Sequence, residues 1–313
     1  MSLLADTPPG TRRQVELHVG LLPSGTPIRI RAHVVRAVEP GPTALLLGGV
    51  HGDEINGVEI VRRLICGDLP DRLARGGLIA IPLLNVFGFL NYARDVPDGK
   101  DVNRSFPGSA RGSLASRVAH VLTTRVLPEV DFGVDFHTGG RCVYNWPQVR
   151  YDPADARAAQ LAAHFAAPVS LASRTIPRSL RRTASRLGRP VLVYEGGENL
   201  RLNPECIAEA VAGTERLLAA EGLLEASRRL VPADPSSRQV FGESRWVRAP
   251  RAGLFEAARQ SGVAVRAGET LGHIRDPYGN EEQAVRCPRD GFIVGHDNSP
   301  VVNQGDALFH LAW

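Results

Sequence analysis

The chain has 313 residues, 43% of them hydrophobic, and a formal net charge of +4. Its four cysteines (Cys66, Cys142, Cys206, Cys287) stand far apart with no CxxC pair, which excludes a disulfide framework and a thiolate zinc site, and a chain this long buries its core without such staples. No apolar run approaches the roughly 18 residues of a membrane helix, and the arginines that carry the charge (Lys100 is the only lysine) form no long basic tract with interleaved aromatics, so we expect a soluble cytoplasmic protein with neither membrane nor nucleic-acid partners.

From Gln14 to Val38 two alternating apolar and polar segments flank Pro23-Ser24-Gly25, which predicts an antiparallel hairpin. Strands and helices then alternate. The run Ala44 to Val50 leads into His51-Gly52-Asp53-Glu54, followed by a helix from about Glu54 to Ile65. Leu78 to Leu84 leads into Asn85, with a helix from about Ser113 to Leu127 further on. Phe132 to Phe136 leads into His137, and Pro190 to Tyr194 into Glu195, with helical periodicity over Ala154 to Phe165 and Cys206 to Ala220. This succession predicts an α/β domain with a mixed, largely parallel sheet flanked by helices, spanning residues 1–230. Four apolar runs each ending in a reactive residue place those residues at the carboxyl edge of the sheet, where open α/β folds form their crevices.

Val231 to Arg238 is rich in proline and serine and reads as a connector. Beyond it, residues 231–313 change to short strands with glycine turns. There Val265 to Ile274 and Val302 to Leu311 share the pattern V-x-x-G-[ED]-x-L-x-H-[IL], which predicts two related hairpins. The pattern resembles the small all-β barrel-sandwich fold of biotinyl and lipoyl carrier domains. A carrier role is excluded because such domains attach their cofactor to a lysine and none follows Lys100.

His51 and Glu54 have the H-x-x-E spacing, which at a turn entering a helix directs both side chains to one point. Zinc in hydrolases takes three protein ligands and keeps a fourth position for water, and His137 supplies the third. Asp135, two residues earlier on the same strand face, is placed to orient His137. Hydrolysis of an amide also needs a group to shuttle a proton, for which Glu195 is the candidate and Glu198 its rival. The loop from Asn91 to Gly108 carries Arg94, Asn103 and Arg104. Arg104 beside Asn103 suits a carboxylate, and Arg94 suits an oxyanion.

His51-Gly-Asp-Glu54, Asp101-Val-Asn-Arg-Ser-Phe-Pro-Gly108, Asp135-Phe-His137-Thr-Gly-Gly and Glu195-Gly-Gly-Glu together resemble the succinylglutamate desuccinylase and aspartoacylase family, related to zinc carboxypeptidases. The resemblance implies one Zn²⁺ at His51, Glu54 and His137, substrate carboxylate at Asn103 and Arg104, Glu195 as base, and a carboxypeptidase-like α/β domain followed by a β-rich one. A tyrosine of that second domain enters the site in aspartoacylase, and Tyr278 is the candidate here. The expected activity is removal of an N-acyl group from a small amino-acid-like carboxylate. The alternatives are a zinc carboxypeptidase and a non-catalytic ligand binder; the acyl group, the amine and homo-oligomerisation stay open.

Overall fold

The computed structural model describes residues 2–225, 231, 233 and 238–313. The expected division at 230/231 and most of the connector lie outside the described residues. The chain opens with β1 (Thr11–Leu21) and β2 (Pro27–Arg36), the expected hairpin. It then runs through β3 (Glu39–Gly48), α1 (Ile55–Cys66), β4 (Arg75–Ile81), α2 (Val86–Leu90), α3 (Leu114–Val121), β5 (Phe132–Gly139) and β6 (Val143–Tyr151). Next come α4 (Ala156–Phe165), β7 (Val169–Ala172), α5 (Leu180–Arg186), β8 (Val191–Glu198) and α6 (Pro204–Ala220). The C-terminal part is all strand: β9 (Gln239–Phe241), β10 (Ser244–Arg248), β11 (Gly253–Ala257), β12 (Ala264–Val265), β13 (Thr270–Arg275), β14 (Glu282–Arg286), β15 (Gly291–Asp297), β16 (Val301–Val302) and β17 (Ala307–Ala312).

The sheet's centre is the parallel set β4-β3-β5-β8. Its strands are apolar along their length because both faces are covered. In β3, Leu45 and Leu47 face a core completed by Val118 of α3, by Leu122 just after it, and by Leu180 of α5. Ala44 and Leu46 face the other core, with Ile60 and Val61 of α1, Leu161 of α4 and Ile207 of α6. The helix predicted over Ser113 to Leu127 is α-helical to Val121 and continues as a π-turn through Val126.

Beyond the parallel centre, β6 runs antiparallel to β8, and β15 is antiparallel to β6, with Gly295 opposite Asn145. The large sheet therefore continues into the C-terminal part through β15, β17 and β10, while β14-β13-β11-β16 form a separate sheet. Val169, Leu171, Val294 and Ala312 pack together at this joint, with Trp146 and Phe292 beside them.

The two sequence repeats are not hairpins. Each is a short strand, a glycine turn (Gly268 at φ +82°, Gly305 at φ +91°) and a longer strand. In the first copy β12 pairs with β15 of the large sheet, whereas β13 lies in the small one; in the second, β16 pairs with β11 of the small sheet and β17 lies in the large one. Each repeat thus crosses between sheets, and the apolar Leu271 and Leu308 that follow the turns are buried between them. Among the described residues no helix is long and apolar enough to cross a membrane.

Candidate metal centre and active site

Close backbone packing brings the ends of β3 and β5 together. The turn after β3 passes under α2 so tightly that a Cβ on Gly52 would lie 1.9 Å from the carbonyl carbon of Gly88. A Cβ on Gly57 of α1 would lie 2.3 Å from the carbonyl oxygen of Phe136. Glycine at 57 lets α1, which begins just after Glu54, press against β5 where His137 emerges, and glycine at 52 lets α2 close over the turn.

His51, Glu54 and His137 are buried, and their ligand-type atoms all lie within 4.8 Å of one another. His51 Nδ1 and His137 Nδ1 are 3.2 Å apart, and each lies 2.7 Å from one oxygen of Glu54. With metal–nitrogen bonds of ~2.0–2.1 Å, the edge of a tetrahedral zinc site is about 3.3 Å, so this nitrogen spacing and mixed donor set fit a divalent ion. The two Nε2 atoms also suit that function. His137 Nε2 is 2.8 Å from Asp135 Oδ2, and His51 Nε2 is 3.3 Å from Asp101 Oδ1. With a carboxylate near each Nε2, the Nδ1 atoms are the ones that face Glu54 and each other.

Burial raises the cost of charging these groups, but their mutual charges win. Burial pushes Glu54 up, yet the charges of His51 and His137 hold it well below the usual carboxylate range. Burial pushes His137 down, and Asp135 and Glu54 together raise it well above 6.5. The cluster is an arrangement of opposite charges in which a cation can replace protons on the imidazoles.

Asp101, to which the sequence alone assigns no role, ties the site to the arginine loop. Besides approaching His51, it accepts from Arg94 Nη2 at 2.9 Å and from the backbone N–H of Asn103 at 2.6 Å. The signal for it is an aspartate two residues before Asn103, a common capping position. Arg94 also donates from Nη1 to Glu54 Oε1 at 3.2 Å. Asn85, expected at the reactive edge, has a structural role: its Oδ1 caps α2 through the Gly88 N–H (2.9 Å), and its Nδ2 donates to the Arg94 carbonyl (3.1 Å).

A cavity of about 310 Å³ is lined by His51, Glu54, His137, Arg94, Asn103, Arg104 and Glu195, so the structure brings all seven residues singled out from the sequence to one space. Asn103 Oδ1 accepts from the Leu180 N–H (2.9 Å), which anchors it beside α5. Arg104 stands exposed at the mouth. Glu195 accepts from Asn145 Nδ2 at 2.9 Å and lies 3.5 Å from Arg150 Nη1. Its rival Glu198 points elsewhere, accepting from Asn298 Nδ2 at 2.7 Å. The end of β8 that carries both is tethered to α1: Asn56 Nδ2 donates to the Gly196 carbonyl and to Asn203 Oδ1, each at 3.0 Å.

The remaining lining was missed in the sequence because it depends on tertiary approach. Arg150 and Arg181 add positive charge; Arg181 is buried and donates to the carbonyls of Ser173 and Arg174. Burial, then the charge of Arg150, pushes Arg181 down to about 10. The C-terminal part contributes Trp246 of β10, stacked on His310 of β17 at 4.7 Å between ring centroids. Tyr278 does not take that position; it is 87% exposed in the turn between β13 and β14.

Comparison with known proteins agrees with this geometry. Residues 40–220 match the succinylglutamate desuccinylase/aspartoacylase catalytic domain. N-alpha-acetyl-L-2,4-diaminobutyric acid deacetylase of Halomonas elongata is 30% identical over 91% of this chain and 86% of its own length. A succinylglutamate desuccinylase/aspartoacylase from Rhodobacter sphaeroides superposes with a TM-score of 0.84 at 28% identity, covering 96% of this chain and 95% of the other. The ectoine utilization protein EutE (DoeB) of Ruegeria pomeroyi, in a product-bound form, shares the fold with a TM-score of 0.85 at 23% identity, covering 96% and 94%. Motifs, cavity and full-length fold thus point the same way: the chain belongs to the succinylglutamate desuccinylase/aspartoacylase family.

Proposed function

We propose that the protein is a zinc-dependent amidohydrolase that removes an N-acyl group from a small amino-acid-like carboxylate. The observation that carries this reading is the convergence of His51, Glu54 and His137 with Glu195 and the Arg94, Asn103 and Arg104 loop on one cavity. The deacetylase name of the Halomonas relative supports the reaction class. The lining arginines, Arg94, Arg104, Arg150 and Arg181, support an anionic substrate. The four free cysteines suit a cytoplasmic setting, and residues 1–230 would supply the chemistry while 231–313 wall the cavity.

His51, Glu54 and His137 would hold the zinc. Zinc when bound supplies Lewis acidity and lowers the pKa of water to about 7. Glu195, at the cavity wall, takes the proton of the attacking water and returns it to the leaving nitrogen. Arg94, fixed by Asp101, donates to the oxygen that becomes negative as the carbonyl is attacked. Arg104 and the Nδ2 of Asn103 receive the carboxylate, with Asn103 oriented by its bond to Leu180.

The test is amine release by zinc-loaded protein across N-acetyl, N-succinyl and N-formyl amino acids, with a chelated sample and C-terminal dipeptides beside it. We expect chelator-sensitive release from N-acyl amino acids. Turnover of dipeptides alone would make the protein a carboxypeptidase, and tight binding of N-acyl amino acids with no turnover would make it a binder.

A further inference from the structure

We propose that Asn145 is the positioning residue of Glu195 and that Gly295, on the C-terminal strand β15, leaves the space in which its carboxamide sits. The inference rests on the reading of Glu195 as the proton-transferring base. It starts from competition for that carboxylate. Arg150 lies 3.5 Å from Oε1, and Asn145 donates to Oε2 at 2.9 Å. An arginine that closed on both oxygens in the bidentate geometry it favours would take up the lone pairs a base needs. The Asn145 carboxamide holds one oxygen by a neutral donor and keeps the carboxylate from turning fully to the guanidinium.

Asn145 is only 3% exposed, so its placement is set by what packs around it. On the side away from β8 lies β15, paired in register with Gly295 opposite Asn145. A Cβ on Gly295 would stand 2.7 Å from Asn145 Oδ1, closer than van der Waals contact allows. The atom in the way is the end of a side chain rather than backbone, so an alanine there displaces the carboxamide and spares the sheet. Asn145 Oδ1 itself has no hydrogen-bond partner among the described residues. The carboxamide therefore does not hold β6 to β15, which the backbone ladder does; among the described residues its bond is to Glu195. The residue that follows this strand braces the end of β8, since Asn298, just after β15, donates to Glu198. A C-terminal strand thus sets the aim of a carboxylate carried by the α/β sheet.

The test compares Asn145→Ala, Gly295→Ala, their combination and Glu195→Gln in the zinc-loaded protein, using the best substrate of the panel and recording thermal midpoint and zinc content. A displacement of about 1 Å at a reacting group costs up to ~10²-fold. We therefore expect kcat of Asn145→Ala to fall about 10- to 100-fold with KM within about twofold, and that of Gly295→Ala to fall about 3- to 10-fold. Because both act through one bond, the double variant should be no slower than Asn145→Ala. If Asn145→Ala does not fold, Asn145→Ser and Gly295→Ala carry the test: both should lower kcat with KM within about twofold, and wild-type kcat in both would overturn the proposal. Wild-type kcat in folded Asn145→Ala, or fully multiplicative losses in the double variant, would overturn the proposal while a slow Glu195→Gln left the base assignment standing. A fully active Glu195→Gln would overturn the base assignment itself, whatever residue 145 does.

Discussion

Part of the cavity lining is His51, Glu54, His137 and Glu195, which arrive at the ends of neighbouring parallel strands; another part is Trp246, which arrives from β10 at the far edge of the sheet. The first part follows from local order, a strand followed at once by its reactive residue. The second exists only because β15 pairs with β6 and carries β17 and β10 with it. On the proposed reading, chemistry and confinement would come from regions that answer to different physical constraints, and substitutions should separate them.

The sharpest separation comes from the first part. Glu195→Gln should keep its zinc and lose about 10²- to 10⁴-fold in kcat, measured beside metal content; turnover near wild type would remove Glu195 from the chemistry. Next, Asp135→Asn should weaken zinc binding about 10- to 100-fold in a competition titration against a chelator, since the carboxylate behind His137 would be lost. Unchanged affinity would mean that burial alone orients the ring. For the second part, Trp246→Ala should leave zinc in place and lower kcat/KM by roughly tenfold, chiefly through KM. An unaltered KM would place the substrate away from this part of the lining.

A further effect concerns stability rather than turnover. Burial, then the charge of Arg150, pushes His310 down to about 3 from 6.5. Between these values the unfolded chain binds a proton that the folded chain does not, so the folded state is fully favoured above pH 6.5 and loses ground as pH falls. The loss is about 2 kcal/mol at pH ~5. His310→Gln, which keeps a partner for Ser244, should flatten that part of the urea midpoint against pH; an equally steep profile would assign the acid lability to other groups.

The sequence was most legible where one residue's meaning is local. Apolar runs ending in His51, His137 and Glu195 located the reactive edge, and H-x-x-E spacing paired Glu54 with His51. The same rule misled at Asn85, because a polar residue after a strand serves equally well as a helix cap. Asp101 lay inside a quoted motif, but its link to His51 and Arg94 needed the loop's fold. Asn145, Arg181 and Trp246 carried no signal of their own, since each gains its place from a strand or helix distant in the chain. The paired repeats were visible, yet their crossing between two sheets was not, because a glycine turn looks the same in a hairpin and in a crossover.

The continuity of the sheet from β8 through β6 into β15 also sets an order of assembly during synthesis. His51, Glu54 and His137 have all been made before the chain is half complete, but the strand that seats Asn145 ends at Asp297, about 160 residues after His137. At ~5–20 residues per second that is an interval of roughly 10–30 s. On the proposed reading, a nascent chain would hold its candidate metal ligands well before β15 could seat Asn145 beside Glu195, so the aim of that carboxylate would be among the last features of the cavity to form.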